Sequence, residues 1–130
     1  MMTEDTYQMV VNHTLRWIDY IHSITVTIKP NIPYGLGFPR TKEIVLPEWL
    51  SRYDPIYRMY YVLHEMVHCM VGVKHDTTFM RVEDVILSLW DIKIVRKKVY
   101  PKRLFWKDHE IENIPSKERK NGNEQKAVND

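Results

Sequence analysis

The segment His64-Glu65-Met66-Val67-His68 carries residue types whose spacing could bind a metal ion and activate water. Positions four apart on an α-helix lie one turn above each other, so the two imidazoles can reach the same cation. Glu65 is turned slightly to the side, where its carboxylate can accept a proton from a nearby water without binding the metal. The spacing predicts a hydrolytic zinc site with His64 and His68 as ligands and Glu65 as general base.

An ordinary helix surface with polar tips is the alternative interpretation of these three residues. The neighbouring residues are apolar, which indicates a helix buried around most of its circumference. They are Val62, Leu63, Met66, Val67, Met70 and Val71. Burying imidazoles and a carboxylate without partners would cost several kcal/mol, and a shared metal ion removes that cost. The metal interpretation is therefore favoured.

His75 is the predicted third ligand, because a catalytic zinc needs three protein ligands and one open position. Gly72 can end the helix and turn the chain, so that the short segment 73–74 returns His75 toward the metal. A surface histidine beside a helix cap is the alternative. Glu83 is the rival ligand, and we favour for it a role in holding a ligand imidazole by its other nitrogen. Three further histidines lack such spacing and are interpreted as ordinary: His13, His22 and His109.

Three helices are predicted to position these residues, at 3–21, 55–71 and 76–91. Asp54 followed by Pro55 is a strong helix start, because the carboxylate can accept from free backbone donors and proline needs none. Asp76 offers the same kind of cap to the third helix. The metal-binding segment therefore falls inside a well-delimited helix.

Strict alternation of apolar and polar residues predicts a strand at 23–29, and a second short strand is expected at 42–46. Three prolines and two glycines in 30–40 predict a loop. Residues 92–106 suit two short strands or an irregular arm. The expected fold is α+β and zincin-like, with an N-terminal helix, a small antiparallel sheet, the active-site helix and a following helix.

The length of 130 residues and the 44% hydrophobic content predict one packed domain, at 1–114, followed by a disordered polar tail at 115–130. No apolar stretch is long enough to cross a membrane, and acidic Glu4 and Asp5 are atypical of a signal peptide. Cys69 is the only cysteine, so an intramolecular disulfide is excluded. A cytoplasmic location is the expectation that fits these features.

The run from Lys42 to Glu83, about a third of the chain, resembles the SprT-like and WLM group of small zincin metalloproteases. The matching pieces are Glu43-Ile44-Val45-Leu46, Val62-Leu63-His64-Glu65-Met66-Val67-His68 and His75-Asp76-Thr77-Thr78-Phe79. The resemblance implies zinc bound by the three histidines, water activated by the glutamate, and a peptidase. Six residues separate the second and third histidines, which disfavours the metzincins, and a single cysteine cannot form the zinc ribbon of many SprT-like proteins.

A peptide or protein is the expected substrate, because an edge strand at Lys42 to Val45 could pair with an extended chain. Lys42 and Ile44 are the candidate substrate-binding residues there. Tyr61, one turn before His64, and Arg81 are candidate donors to the oxyanion that forms on the carbonyl. A packed aromatic and a solvated charge are the alternatives for these two.

A basic arm at 93–107 contains seven Lys or Arg and no acidic residue, interleaved with aromatic residues. Cations can neutralise phosphates and aromatics can stack on bases, so DNA is a candidate partner, with Arg96, Lys97 and Lys98 as contacts. The resemblance implies the same, since SprT-like and WLM proteins are associated with proteolysis of DNA-bound proteins. A solvated face of short strands is the alternative.

A zinc peptidase is the favoured function. A non-catalytic zincin-fold protein that binds or inhibits a nucleic acid or protein partner is the alternative from another class, and Glu65 argues against it because a structural site needs no base. A metal hydrolase that acts on another substrate is the third hypothesis.

Overall fold

The computed structural model describes residues 3–115, and it begins with helix α1, Glu4–Trp17. The Thr3 side chain caps this helix by accepting a hydrogen bond from the Thr6 backbone nitrogen. The helix ends earlier than the predicted residue 21, because Asp19 adopts a positive φ of 58° that cannot continue a right-handed helix. Its apolar face is buried against α2 and β1.

The first sheet contains β1 (Thr25–Lys29), β2 (Leu36–Phe38) and β3 (Glu43–Pro47) in the order β1-β3-β2. β2 runs antiparallel to β3, whereas β1 runs parallel to it, so this sheet is mixed rather than antiparallel as predicted. β2 lies inside the stretch that was predicted to be a loop. The prolines of that stretch cannot donate backbone hydrogen bonds, and β2 is only three residues long.

The central position of β3 corrects the prediction that it is an edge strand open to substrate. β1 and β2 pair with its two sides, so its backbone groups are occupied by the sheet. Ile44 is fully buried, and the Lys42 ammonium donates a hydrogen bond to the Cys69 carbonyl at 2.8 Å. Neither candidate substrate-binding residue is available to an extended peptide.

Helix α2 spans Pro55–Val71, with the bounds that its capping residues predict. The Asp54 carboxylate accepts from the Ile56 backbone nitrogen at 2.8 Å, and Gly72 ends the helix at a φ of 114°. Residues 60–69 are all buried, so this middle part of the helix is enclosed on every side by the rest of the protein. A short 3-10 helix, Glu48–Arg52, connects β3 to it.

Helix α3 (Thr77–Ser88) packs on α2, and the Asp76 side chain caps it by accepting from the Phe79 backbone nitrogen at 2.9 Å. A second, antiparallel sheet follows, formed by β4 (Ile92–Lys97), β5 (Tyr100–Trp106) and β6 (His109–Glu110). The two predicted short strands at 92–106 are thus confirmed as β4 and β5. A β-bulge interrupts their pairing between Val95 and Arg96.

The α+β class predicted from the sequence is confirmed, with α2 at the centre of the molecule. Within residues 3–115, no helix is both long enough and apolar enough to cross a membrane. The predicted disordered tail, apart from Pro115, lies outside the described residues.

Candidate metal centre

Three histidine side chains, two on α2 and one in the loop that follows it, converge at one point. The Nε2 atoms of His68 and His75 are 3.0 Å apart, and those of His75 and His64 are 3.3 Å apart. Zinc–nitrogen bonds of about 2.0–2.1 Å in a tetrahedron place two ligand nitrogens about 3.4 Å apart. The three predicted metal ligands therefore come together with the spacing that one shared ion requires.

Different elements supply the three imidazoles. α2 presents His64 and His68 on one face, and both are almost completely buried, at 2% and 4% exposure. The loop after Gly72 returns His75, which is half-buried, to the same point. This return is possible because glycine accepts the positive φ at the end of α2. His75, in the loop, is the most accessible of the three histidines.

Hydrogen bonds at the Nδ1 atoms fix which nitrogen of two imidazoles faces the centre. His68 Nδ1 lies 2.9 Å from the Gly72 carbonyl oxygen, and His64 Nδ1 lies 2.6 Å from Glu83 Oε2. A carbonyl and an ionised carboxylate only accept hydrogen bonds, so Nδ1 is the donor in both cases. The Nε2 lone pairs of both residues are thereby directed to the centre, as metal binding requires.

Glu83 accepts a hydrogen bond from His64 Nδ1, on the side of the ring away from the other two histidines. This is the role that was favoured for it from the sequence, over direct ligation. Its carboxyl group is fully buried and also accepts a hydrogen bond from Arg96 at 2.8 Å. Burial opposes ionisation of this carboxyl, but hydrogen bonds from His64 and Arg96 outweigh it and lower the pKa of Glu83 below its ordinary value. The residue therefore stays an anion that accepts from His64.

Phe79 forms the apolar wall of the centre. Its ring is fully buried, and its centroid lies 4.5 Å from that of His68 and 5.0 Å from those of His64 and His75. A wall of this kind keeps water away from the imidazoles and limits their rotation. It gives a physical reason for an aromatic residue four positions after His75.

The general base candidate Glu65 is fully buried on α2, and β2 lies directly against it. A Cβ atom added to Gly37 would lie 2.2 Å from the Glu65 carbonyl oxygen and 2.9 Å from His68 Cβ. Only glycine lets β2 approach α2 this closely. Sequence reasoning missed Gly37, although a glycine between two apolar residues is a signal of close backbone approach.

Tyr100 is a second residue that sequence reasoning did not place at the site. Its ring centroid lies 5.7 Å from that of His75 and 6.1 Å from that of His64. In the sequence it belongs to the basic arm, whose aromatic residues were only candidates for stacking on bases. Only the pairing of β4 with β5 brings it to the histidines.

Cys69 directly follows the predicted ligand His68, but its thiol is not suited to binding a metal. Burial, as the largest cause, raises the pKa of the Cys69 thiol to about 12. The protonated thiol lies 3.4 Å from the Glu43 carbonyl oxygen, to which it donates. Since only a thiolate binds metal well, the residue is a packed part of the core.

The two candidate oxyanion donors lie elsewhere. The Tyr61 hydroxyl is buried and accepts a hydrogen bond from the Gly35 backbone nitrogen at 2.8 Å, so it fixes the loop before β2. Arg81 is exposed and lines a shallow apolar cavity with Tyr20 and Val85, which none of the three histidines lines. The structure brings neither side chain to the metal centre.

The three basic residues predicted to contact DNA have different environments in the structure. The guanidinium of Arg96 is mostly buried and pairs with Glu83 and Asp84, at 2.8 and 2.7 Å, which corrects its predicted role in nucleic-acid binding. Lys97 and Lys98 are exposed at the hairpin turn. DNA binding through these two lysines stays a prediction, and a steep fall of affinity with salt would be its signature.

Comparison with known proteins gives a likeness to a solved structure. No protein-family model and no curated protein sequence matches the chain. Among solved structures, it is similar to the crystal structure of the metallopeptidase zymogen of Pyrococcus abyssi abylysin, with a TM-score of 0.54 and 17% identity. The likeness covers 65% of this chain and 79% of that one. It shows a metallopeptidase-like, zincin-like fold, and membership of the SprT-like and WLM group stays a prediction.

Proposed function

We propose that this protein is a zinc-dependent peptidase. The observation that carries the proposal is the convergence of three imidazole Nε2 atoms, two of which are directed by acceptors at Nδ1. The donor set fits zinc, because neutral imidazoles in a tetrahedral arrangement suit this ion and no thiolate is present. His64, His68 and His75 would hold it.

The chemistry divides between the ion and Glu65. Zinc, when bound, would supply the Lewis acid that makes water nucleophilic near neutral pH and polarises a carbonyl group. The Glu65 carboxylate would take the proton of the attacking water and hand it to the leaving amine. Glu65 is fully buried and directly follows His64 on α2, so bulk solvent would not compete for the proton that it accepts.

A peptide is the favoured substrate because of the position of β2. In the described part of the chain β2 pairs on one side only, with β3, and it lies against α2 at Gly37. An extended peptide could add to its other side by backbone hydrogen bonds and would then run past the metal centre. Leu36 and Phe38, at 40% and 39% exposure, would contact its side chains. We therefore propose that β2, and not β3 as predicted from the sequence, is the edge strand that pairs with the substrate.

A non-catalytic binding or inhibitory protein remains the alternative from another class. Such a protein needs the zincin fold and an exposed surface, but it does not need a carboxylate buried on the metal helix beside the ligands. A hydrolase of a different substrate would need the same centre without a strand for an extended chain. Glu65 and β2 are the features that favour a peptidase over these two.

The proposal is tested by incubating zinc-loaded protein with a mixed-sequence peptide library and identifying cleavage products by mass spectrometry. We expect new termini with zinc, none after chelation, and recovery when zinc is returned. A His68→Ala variant, which lacks one ligand, is expected to give no products. Cleavage that persists in the chelated protein and in the variant would contradict a metal mechanism.

A further inference from the structure

We propose that Tyr100 is a catalytic residue, whose hydroxyl donates a hydrogen bond to the carbonyl oxygen of the peptide bond under attack. The inference rests on the proposed peptidase function and names the donor that this function lacks. Three observations carry it: the position of the ring at the metal centre, the anchoring of its hairpin, and the contrast with a second tyrosine nearby.

The ring of Tyr100 lies against two of the three ligands. It is half-buried, with its centroid 5.7 Å from that of the loop ligand His75 and 6.1 Å from that of His64. Both imidazoles carry the Nε2 atoms that face the metal position. A substrate carbonyl that reaches this position therefore comes within the neighbourhood of the phenol.

Tyr60, the other tyrosine at the centre, is placed differently. Its hydroxyl lies 3.5 Å from His64 Nδ1, on the side of the imidazole that faces Glu83 and away from the metal position. It is also 2% exposed, so substrate cannot reach it. Tyr60 therefore packs behind His64, whereas Tyr100 is half-buried and also lies beside His75, the most exposed of the three histidines.

The hairpin that carries Tyr100 is anchored to the metal centre by Arg96. This residue sits at the β-bulge of β4 and bonds to Glu83 and Asp84 on α3. Tyr100 pairs with Lys97, the next residue on β4. Bulges re-aim side chains next to active sites, and the ion pair keeps this bulge in place. The same carboxylate thus orients a ligand and fixes the hairpin that presents the phenol.

A phenol in this position would complete the chemistry without a further proton transfer. As water adds to the carbonyl carbon, the C–O π electrons move to the oxygen, and the Tyr100 O–H donates to the charge that forms there. Glu65 takes the water proton and gives it to the nitrogen as the C–N bond breaks. The Tyr100 phenol therefore keeps its own proton throughout. A donor of this kind acts on the transition state more than on the substrate, and losing one costs about 10²–10³ in kcat.

The test compares Tyr100→Phe with wild type, both zinc-loaded, on a peptide cleaved by the wild type. We expect kcat to fall about 10²–10³-fold with KM within about twofold. Binding of a phosphinic peptide, whose tetrahedral anionic group imitates the attacked carbonyl, should weaken by a similar factor. Zinc affinity and Tm should stay at wild-type values. Tyr20→Phe, which removes a half-buried hydroxyl outside the centre, is the matched control and should change none of these.

Each outcome decides the inference. If the wild type is active and the Tyr100→Phe variant has the same kcat and the same affinity for the phosphinic peptide, this inference alone is wrong. A variant that loses zinc or Tm in proportion to activity shows a structural tyrosine and overturns it as well. A wild type that cleaves no peptide overturns the proposed function, and the inference falls with it.

Discussion

Replacing Glu65 with Gln is expected to lower kcat by about 10²–10⁴-fold, the range that general base catalysis contributes. The amide has almost the shape of the carboxylate, but it cannot accept the proton of the attacking water. Zinc content and Tm should stay near the wild-type values, because Glu65 is not one of the three converging ligands. Steady-state kinetics on a library-derived peptide, zinc analysis and thermal unfolding measure the three quantities.

The matched control for this change is Glu43→Gln. It makes the same chemical replacement at an exposed carboxylate on β3, so activity should be retained. Loss of zinc from the Glu65→Gln protein would show that this residue is a ligand or a structural element. Full activity in that protein would remove Glu65 from the mechanism.

Replacing Gly37 with Ala is expected to lower both the free energy of unfolding and kcat. The new methyl group would lie 2.2 Å from the Glu65 carbonyl oxygen and 2.9 Å from His68 Cβ. The first of these atoms belongs to the backbone of α2 within residues 60–69, which are all buried, so it cannot move aside cheaply. Overpacking of this kind costs about 1–3 kcal/mol, and any shift of β2 or α2 displaces the base or a ligand. Urea unfolding and peptide kinetics measure the two effects.

Leu36→Ala is the control for the glycine substitution. It changes the neighbouring residue of β2, whose side chain is partly exposed, and leaves the contact with α2 intact. Its unfolding free energy should change less than that of Gly37→Ala. A Gly37→Ala protein with wild-type stability and kcat would show that β2 does not lie against the metal helix in solution.

The part of the site that is local in sequence could be predicted. The bounds of α2 follow from Asp54, Pro55 and Gly72, each of which acts on adjacent backbone. Because a helix places residues four apart on one face, its ends also fix where His64 and His68 point. The return of His75 needs only a short loop. These residues therefore come together as the sequence predicts.

The part that depends on distant pairing could not be predicted. The order β1-β3-β2 puts β3 in the centre of its sheet, and alternation within a strand says nothing about its neighbours. The approach of Gly37 to α2 and the bulge that turns Arg96 to Glu83 also arise from contacts between remote segments. Tyr100 reaches the histidines only through that hairpin register.

The position of Arg81 has a local cause. This residue and Glu83 are two positions apart on α3, which places them on nearly opposite faces of the helix. Glu83 contacts His64, whereas Arg81 lines the apolar cavity on the other side of the helix. Helical phase therefore places these two side chains on different faces of α3.

The central claim, a zinc ion held by three histidines, is tested most directly by a crystal structure of the protein grown with zinc and measured on both sides of the zinc absorption edge. We expect one anomalous peak per chain, bound by the Nε2 atoms of His64, His68 and His75 at about 2.0–2.1 Å. Absence of a peak between these residues, or a peak bound by Glu83 with His75 turned into solvent, would contradict it.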